Sequence, residues 1–430
     1  MKILHVNTYD TIGGAARATY RLMTALNQQG HEARFLALRS DRDEPNVIGP
    51  KTPAAKALAM ARGPLDKLPL RRYRNLSGLF SPAWLRDSVA KKIEELAPEV
   101  VHLGWTCGGF VRIESMPKIQ RPTVWTLQDM WPFTGGCHVA GECTRYEVGC
   151  GQCPILGSDR MNDLSRKVFR RKERAWRHWG AQMVAPSRWI AESAKKTTLF
   201  QDRDIDVIPW CLDLDTFSPI DKPLARSILN LPSDHDIIAF GSVAATSDPN
   251  KGYDLLLAAL KRLRETQGGR PILLAVFGSA GAKGASELPF PVRFMGTLHD
   301  DLSLRFLYSA ADITAVPSRQ ESFGQTATES MACGTPVVAF GATGLLDIVG
   351  HGEDGYLAKP YDPEDFAHGL QQVLRSKSES GASSAELPRY AELCAAARQS
   401  AQRKFAPDYV GGRYQAAFER AVEESRRQQR

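Results

Sequence analysis

The chain has 430 residues, a net charge of 55 − 48 = +7, 43% hydrophobic content and 24% charged residues, the profile of a globular protein with two ordinary domains, each able to bury a core. No apolar stretch approaches the about 18–20 residues that a membrane-spanning helix needs, and the opening Met1-Lys-Ile-Leu-His-Val has one cation and a short apolar run ended by Asn7, so a soluble protein that stays in the cytoplasm is expected. The positive excess is mild, compatible with phosphorylated ligands or an anionic membrane surface and demanding neither.

In chain order, Ile3–Asn7 predicts a strand, Gly13-Gly14 a turn, residues 15–29 a helix closed by Gly30, and Ala33–Leu38 a second strand. This is a βαβ unit whose Gly-rich turn lies where ligands gather. Gly-x-Gly-x-x-Gly is absent, so the turn serves either its own geometry or a phosphate or acceptor site. From Pro50 to Arg74 the pattern loosens into Pro, Gly and basic residues ending Arg71-Arg-Tyr-Arg74, which predicts a mobile surface loop. Ser81-Pro82 is then expected to cap a helix running to about Leu96. Strands Glu99–Leu103 and Thr123–Leu127 continue a parallel sheet, with His102 and Gln128-Asp129 at their carboxyl ends. His102 is either a site residue or a satisfied strand-end histidine.

Eight cysteines are dilute for a disulfide scaffold of this length, but Cys137, Cys143, Cys150 and Cys153 cluster as Cys-x5-Cys-x6-Cys-x2-Cys. The last pair has the knuckle spacing that lets two thiolates meet one zinc ion. A zinc clip, four free thiols and disulfides stay open, with a cytoplasmic setting weighing against the last. Four protein ligands would make such a zinc structural, with no catalytic part. Ser165-Arg-Lys-Val-Phe-Arg-Arg-Lys-Glu-Arg-Ala-Trp-Arg-His-Trp179 predicts a basic helix with Val168, Phe169, Ala175, Trp176 and Trp179 available for an apolar stripe. Such a helix either lies on an anionic membrane or packs its stripe on its own sheet. Nucleic-acid binding needs more than one such helix and is not expected. A strand at Met183, a helix at about 187–197 and a strand at Ile205–Pro209 follow, before Trp210–Pro219 breaks the alternation.

The second half opens with strand Ile237–Phe240 and a helix ending near Glu265, with Lys251 at its start. That lysine is either a point-charge partner for a phosphate or a solvated first-turn side chain. Strand Ile272–Phe277 with Gly278, and strand Val292–Met295 with Gly296-Thr-Leu298, lead to residues 312–341, a strand-turn-helix-strand unit. Glu321 falls in the turn and Gly324 at the helix start, so free N–H groups and the positive dipole end suit an anion such as a diphosphate. Glu329 lies eight positions beyond Glu321, and both carboxylates are placed to accept hydrogen bonds from hydroxyls of one extended ligand. After Leu357 come two or three helices, interrupted by a Ser/Gly-rich stretch at 376–384, the last at about 408–426.

The two glutamates separated by seven residues, the Ser322-Phe-Gly after the first, the Met331-Ala-Cys-Gly-Thr-Pro-Val-Val after the second, and the following Gly344-Leu-Leu-Asp-Ile-Val-Gly and Asp354-Gly-Tyr-Leu resemble the donor-binding signature of retaining glycosyltransferases of family four. The resemblance implies the GT-B fold: two doubly wound α/β, Rossmann-like domains facing across a cleft, here 1–210 and 211–405, with 406–430 crossing back to the first. It implies Glu321, Lys251 and Gln128 as catalytic residues, and Gly13, Gly14, Gly278, Leu298, Ser322, Phe323, Gly324, Gln325, Thr326 and Glu329 as donor-binding ones. Leu298 would hold the nucleotide base.

Two positions depart from the pattern. Gln128 stands where the family has the His of a His-Asp pair, and it cannot shuttle a proton. Ser242 stands where the family has an Arg, leaving Arg319 as a candidate for that charge. The Trp131-Pro-Phe-Thr-Gly-Gly-Cys run resembles enzymes that build bacterial exopolysaccharides.

The implied reaction moves a sugar from a nucleotide diphosphate donor to a glycan or lipid-linked acceptor with retention, needing no cofactor and no divalent metal on the diphosphate. The leaving diphosphate would help deprotonate the attacking hydroxyl, while Lys251 and the Phe323–Thr326 N–H groups stabilise its charge. Arg71–Arg74 and the 165–179 helix would bring the enzyme to the inner membrane face. The rival readings are a nucleotide-sugar epimerase on the same scaffold, a non-catalytic nucleotide-sugar-binding protein, and a zinc-linked basic module contacting nucleic acid.

Overall fold

A computed structural model describes residues 1–241, 248–266, 268–278, 287–298, 300–377 and 387–428. The chain divides into two compact units, Met1–Cys211 together with the segment from Pro407 onward, and Leu212–Ala406.

The first unit carries a seven-stranded sheet in the order β3-β2-β1-β4-β5-β6-β7, with β1 at Lys2–Tyr9, β2 at Glu32–Arg39, β3 at Val47–Ile48, β4 at Val100–Leu103, β5 at Thr123–Thr126, β6 at Gln182–Ala185 and β7 at Ile205–Val207. Every pairing is parallel. Helices α1 (Gly14–Gln28), α2 (Pro53–Asp66), α3 (Val89–Leu96), α4 (Leu164–Trp176) and α5 (Arg188–Lys195) connect them. Successive residues of β1 feed opposite faces, Ile3 joining Leu26, Phe35 and Phe418 while Leu4 joins Val101, Trp125 and Ile190. Both faces are covered, as an all-parallel sheet requires.

The second unit has a six-stranded sheet in the order β10-β9-β8-β11-β12-β13, again wholly parallel. Its strands are β8 (Asp236–Gly241), β9 (Ile272–Phe277), β10 (Val292–Gly296), β11 (Ile313–Val316), β12 (Val337–Phe340) and β13 (Gly355–Ala358). Helices α6 (Lys222–Ile228), α7 (Tyr253–Thr266), α8 (Asp301–Ala310), α9 (Gln325–Ala332), α10 (Pro363–Arg375) and α11 (Tyr390–Phe405) surround it, and α12 (Pro407–Gln428) packs on α1 in the first unit. Both sheets reverse direction about a central strand pair, which puts loops at the strands' carboxyl ends beside a switch point. A buried charge cluster braces the second unit. Asp312 accepts from Arg226 at 2.6 Å, from Lys222 at 3.1 Å and from the Ile237 N–H at 2.7 Å, with Lys377 at 2.9 Å.

Three expectations need correction. Residues 53–66 are helix where a loop is expected, because Thr52 caps the helix by accepting from the Ala55 N–H, Pro53 occupies the first turn and five alanines between 54 and 61 carry it as far as Gly63 and Pro64 in its last turn. The helix expected from Ser81 starts only at Val89. Tertiary bonds take the preceding N–H groups: Ser81 donates to the Gly136 carbonyl at 2.8 Å, and Ala83 and Trp84 donate to the Asp66 carboxylate. Finally, the apolar stripe of the 165–179 segment is not available to a membrane. Val168, Phe169, Trp176 and Trp179 are buried, and Trp176 meets Trp125 edge-on at 5.0 Å within a cluster that includes Trp131 and Phe200. The Ser/Gly-rich stretch lies largely outside the described residues.

Candidate active site

The residues singled out in the second unit converge at the carboxyl ends of β8 and β11. Past Gly241 the chain is next described at Asp248, so Ser242 lies outside the described residues. Asp248 accepts from the Asn250 N–H at 2.9 Å and opens a single 3-10 turn, Pro249–Lys251, which Gly252 ends in a left-handed conformation (φ 68°). A Cβ on Gly252 would stand 2.0 Å from the Pro317 carbonyl oxygen. Only glycine lets this turn press against the loop leaving β11. The two loops are then zipped: Asn250 accepts from the Gln320 N–H at 3.0 Å and donates to its carbonyl at 2.7 Å, and the Arg319 N–H donates to the Asn250 carbonyl at 2.8 Å.

The outcome is an ion pair between Lys251 Nζ and Glu321 Oε1 at 2.7 Å, both side chains about one-fifth exposed. Burial works against the ammonium, but the Glu321 carboxylate outweighs it and holds Lys251 above the ordinary lysine range. Glu321 is clamped from behind, its N–H donating to Thr343 Oγ1 at 3.1 Å and its carbonyl accepting from the Gly344 N–H at 2.9 Å. Lys251, Glu321, Ser318, Thr326, Gly241 and Pro317 line a cavity of about 10 Å³. Helix α9 begins there behind Gly324 (φ 121°), whose missing side chain leaves the cap without a side-chain acceptor. Together these supply one cation, one carboxylate and a helix dipole of matching sign, a set suited to a ligand with both phosphate and hydroxyl groups.

The other donor-side residues sit around this centre less uniformly. Phe323 is buried, while Ser322, Gln325 and Thr326 are half-buried. Glu329 is buried on α9 and accepts a hydrogen bond from the Tyr308 hydroxyl at 3.1 Å. Gly278 is left-handed (φ 77°) and donates to the Gly296 carbonyl at 2.8 Å, and Leu298 follows β10 half-buried. Arg319 is not a spare cation. It forms a two-pronged pair with Asp254 at 2.9 and 2.6 Å, which commits its charge to the first turn of α7.

In the first unit, Gly13 caps α1 with φ 87° and Gly14 is its exposed first residue. Gln128 is buried beyond the end of β5, donates to Thr19 Oγ1 at 3.4 Å and has an Oε1 without a partner. The neighbouring Asp129 does have an imidazole, from a residue that sequence reasoning missed. His138 Nδ1 meets Asp129 Oδ2 at 2.6 Å and His138 Nε2 meets Ser81 Oγ at 2.8 Å. Nothing in the spacing of Asp129 and His138 foretells this pair, which arises because the loop after β5 folds back on itself. His102 is a satisfied interior histidine, bonded to His5 at 2.8 Å and Thr126 at 2.7 Å, with Thr126 in turn meeting Tyr414 at 3.0 Å.

Comparison with known proteins bears on what this geometry serves. The model of glycosyl transferases group 1 matches residues 221–392, and that of glycosyltransferase family 4 matches residues 12–216. A D-inositol 3-phosphate glycosyltransferase from Mycolicibacterium smegmatis is 36% identical over 378 residues, 83% of this chain and 77% of its own. The chain belongs to the family-four glycosyltransferases.

Another relative of this glycosyltransferase, D-inositol 3-phosphate glycosyltransferase 2 from Catenulispora acidiphila, is 37% identical over 273 residues, and the match spans 58% of this chain and 59% of that one. Among solved structures, sucrose-phosphate synthase from Thermosynechococcus elongatus aligns over 99% of this chain and all of its own with a TM-score of 0.67 at 19% identity. Anabaena HepE, in complex with UDP-glucose, aligns over 96% and 98% with a TM-score of 0.62 at 17% identity. These likenesses establish the GT-B fold of the glycosyltransferase, with its two Rossmann-like domains.

Proposed function

We propose that the enzyme transfers a sugar from a nucleoside diphosphate sugar to an acceptor hydroxyl with retention at the anomeric carbon. The observation that carries this reading is the Lys251–Glu321 pair at 2.7 Å at the mouth of α9. A donor diphosphate takes the Lys251 ammonium and the N–H groups at the start of α9, and Glu321, released from the lysine, accepts from hydroxyls of the sugar. As the bond between the anomeric carbon and the phosphate oxygen breaks, the acceptor oxygen bonds to that carbon on the same face. Its proton passes to the leaving diphosphate, whose growing charge Lys251 stabilises. The HepE complex with UDP-glucose supports a nucleotide-sugar donor, and the inositol phosphate glycosyltransferases support an acceptor rich in hydroxyls.

Incubation with a panel of nucleotide sugars tests this reading. A transferase releases nucleoside diphosphate faster when an acceptor is added and yields a product of unchanged anomeric configuration. Interconversion of the sugars without release would establish an epimerase, and binding without turnover a non-catalytic protein.

A lipid-linked glycan acceptor at the inner membrane face suits the segment 51–84. Leu58, Met60, Leu65, Leu76, Leu79 and Trp84 are all at least 40% exposed, among the exposed cations Lys51, Lys56, Lys67, Arg71, Arg72 and Arg74. Each cation near an anionic surface contributes about 1 kcal/mol. Cosedimentation with anionic vesicles at low salt and its loss at high salt are the expected results; equal behaviour with neutral vesicles returns the acceptor to solution.

A further inference from the structure

We infer that Cys137, Cys143, Cys150 and Cys153, which line one small cavity in the loop between β5 and α4, bind a single zinc ion that clips this loop together. The four are drawn from three separate stretches of chain and meet around a space of about 10 Å³, room for one atom-sized guest. None is in a disulfide. Among the described residues no three His, Cys, Asp or Glu side chains stand as a ready metal-ligating group. The four side chains nevertheless line one space, and because a cysteine sulfur swings by rotation about one bond, four sulfurs about 2.3 Å from a common centre would fill it tetrahedrally.

Three features of the surroundings suit a metal held at this place. A main-chain N–H group is aimed at sulfur: Gly135 donates to Cys150 Sγ at 3.1 Å. A metal-bound thiolate takes such bonds from its outer shell. Between the paired cysteines the chain passes through three left-handed residues, Cys150 (φ 62°), Gly151 (φ 106°) and Gln152 (φ 45°), two of them not glycine. That strained turn is gripped by the start of α4, where Asp163 accepts from the Cys153 N–H at 2.9 Å and Ser165 from the Gly151 N–H at 3.0 Å.

Finally, Lys172 is fully buried beside the cluster. It donates to the carbonyls of Trp131 and Thr134 and lies 3.8 Å from the centre of the Trp131 ring, and among the described residues it has no carboxylate in ion-pair contact. Four thiolates around Zn²⁺ carry a net charge of −2, the counter-charge this cation lacks. Arg145, which lines the cavity, and Arg166, which donates to the Cys150 carbonyl at 3.1 Å, add to the same field. Because Cys137 adjoins His138, the clip would also steady the histidine that holds Asp129 next to Gln128.

The test is elemental analysis of the full chain, expressed with zinc and purified without chelator. We expect one zinc per chain, four cysteines shielded from a thiol reagent until a chelator strips the metal, and on exchange with cobalt(II) the thiolate charge-transfer and visible bands of a tetrahedral sulfur site. Cys143→Ser alters a partly exposed member of the set, one outside the left-handed turn, and so spares the fold. It should lower zinc retention against a competing chelator by at least the ~10-fold that loss of an outer-shell partner costs. Cys211→Ser and Cys394→Ser should not change it. Zinc well below one equivalent in folded protein with all four thiols reactive overturns the inference, as do disulfides among the four or iron with labile sulfide.

Discussion

Replacing Gly252 by alanine tests whether the Lys251–Glu321 geometry is what the second unit is built to hold. The added Cβ would stand 2.0 Å from the Pro317 carbonyl oxygen, where real Cβ atoms essentially never come within 3.0 Å, so the 248–252 turn must retreat by 1 Å or more. The 2.7 Å contact one residue away then opens toward ~3.7 Å, beyond hydrogen-bond reach. A 1 Å misplacement of a positioning group costs about 10²-fold in rate, or ~2.7 kcal/mol of barrier. The left-handed backbone (φ 68°) adds ~1–2 kcal/mol of destabilisation for alanine, a melting shift of a few degrees in a unit of this size. The assay is steady-state release of nucleoside diphosphate beside a thermal melt, with Gly268→Ala, which meets nothing within 4 Å, as the control. A folded Gly252→Ala variant with wild-type turnover would refute the reasoning.

Lys251→Met should lower kcat by about 10²–10³-fold with a much smaller change in KM, because its charge counts most when the diphosphate leaves; a change confined to KM would reduce the lysine to a binding contact. Asp312→Asn should destabilise the second unit by about 3–5 kcal/mol in urea titrations, since Arg226, Lys222 and Lys377 lose a shared buried partner. Burial alone would raise the Asp312 carboxyl, but Lys222, Lys377 and Arg226 overcome it and bring it to about 2. The first unit should weaken on mild acidification. Burial lowers His102 to about 3 and, with the added field of His102, puts His5 well below its usual value. Both imidazoles then stay neutral in the fold while the unfolded chain protonates near pH 6.5, so their contribution is present above that pH and lost as it falls toward 3. The loss amounts to about 2 kcal/mol per imidazole between pH 7 and 5. His102→Gln should flatten that dependence, and an unchanged pH profile would show that these histidines do not control it.

What the sequence determines by itself is what local chemistry repeats. Apolar runs such as Ile272–Phe277 and Val337–Phe340 are buried on both faces and read as parallel strands without help from their neighbours. Gly324 before α9, with Glu321 in the preceding turn, is legible because a helix start needs a cap and a glycine there needs a reason. Tertiary structure alone decides how groups far apart in the chain are spent. Lys251 meets Glu321 across seventy positions because Gly252 tolerates the Pro317 carbonyl. Arg319 is taken by Asp254, and Asp129 finds His138 rather than a neighbour at 128. The 165–179 stripe has the pattern of a membrane-surface helix and of a core helix alike, since periodicity records which side is apolar but not what covers it. The tryptophans of the first unit cover it. Residues 81–88 would cap and start a helix in isolation, but Asp66 and Gly136 take their N–H groups first, and a bond to a fixed tertiary partner outweighs a helix turn not yet nucleated.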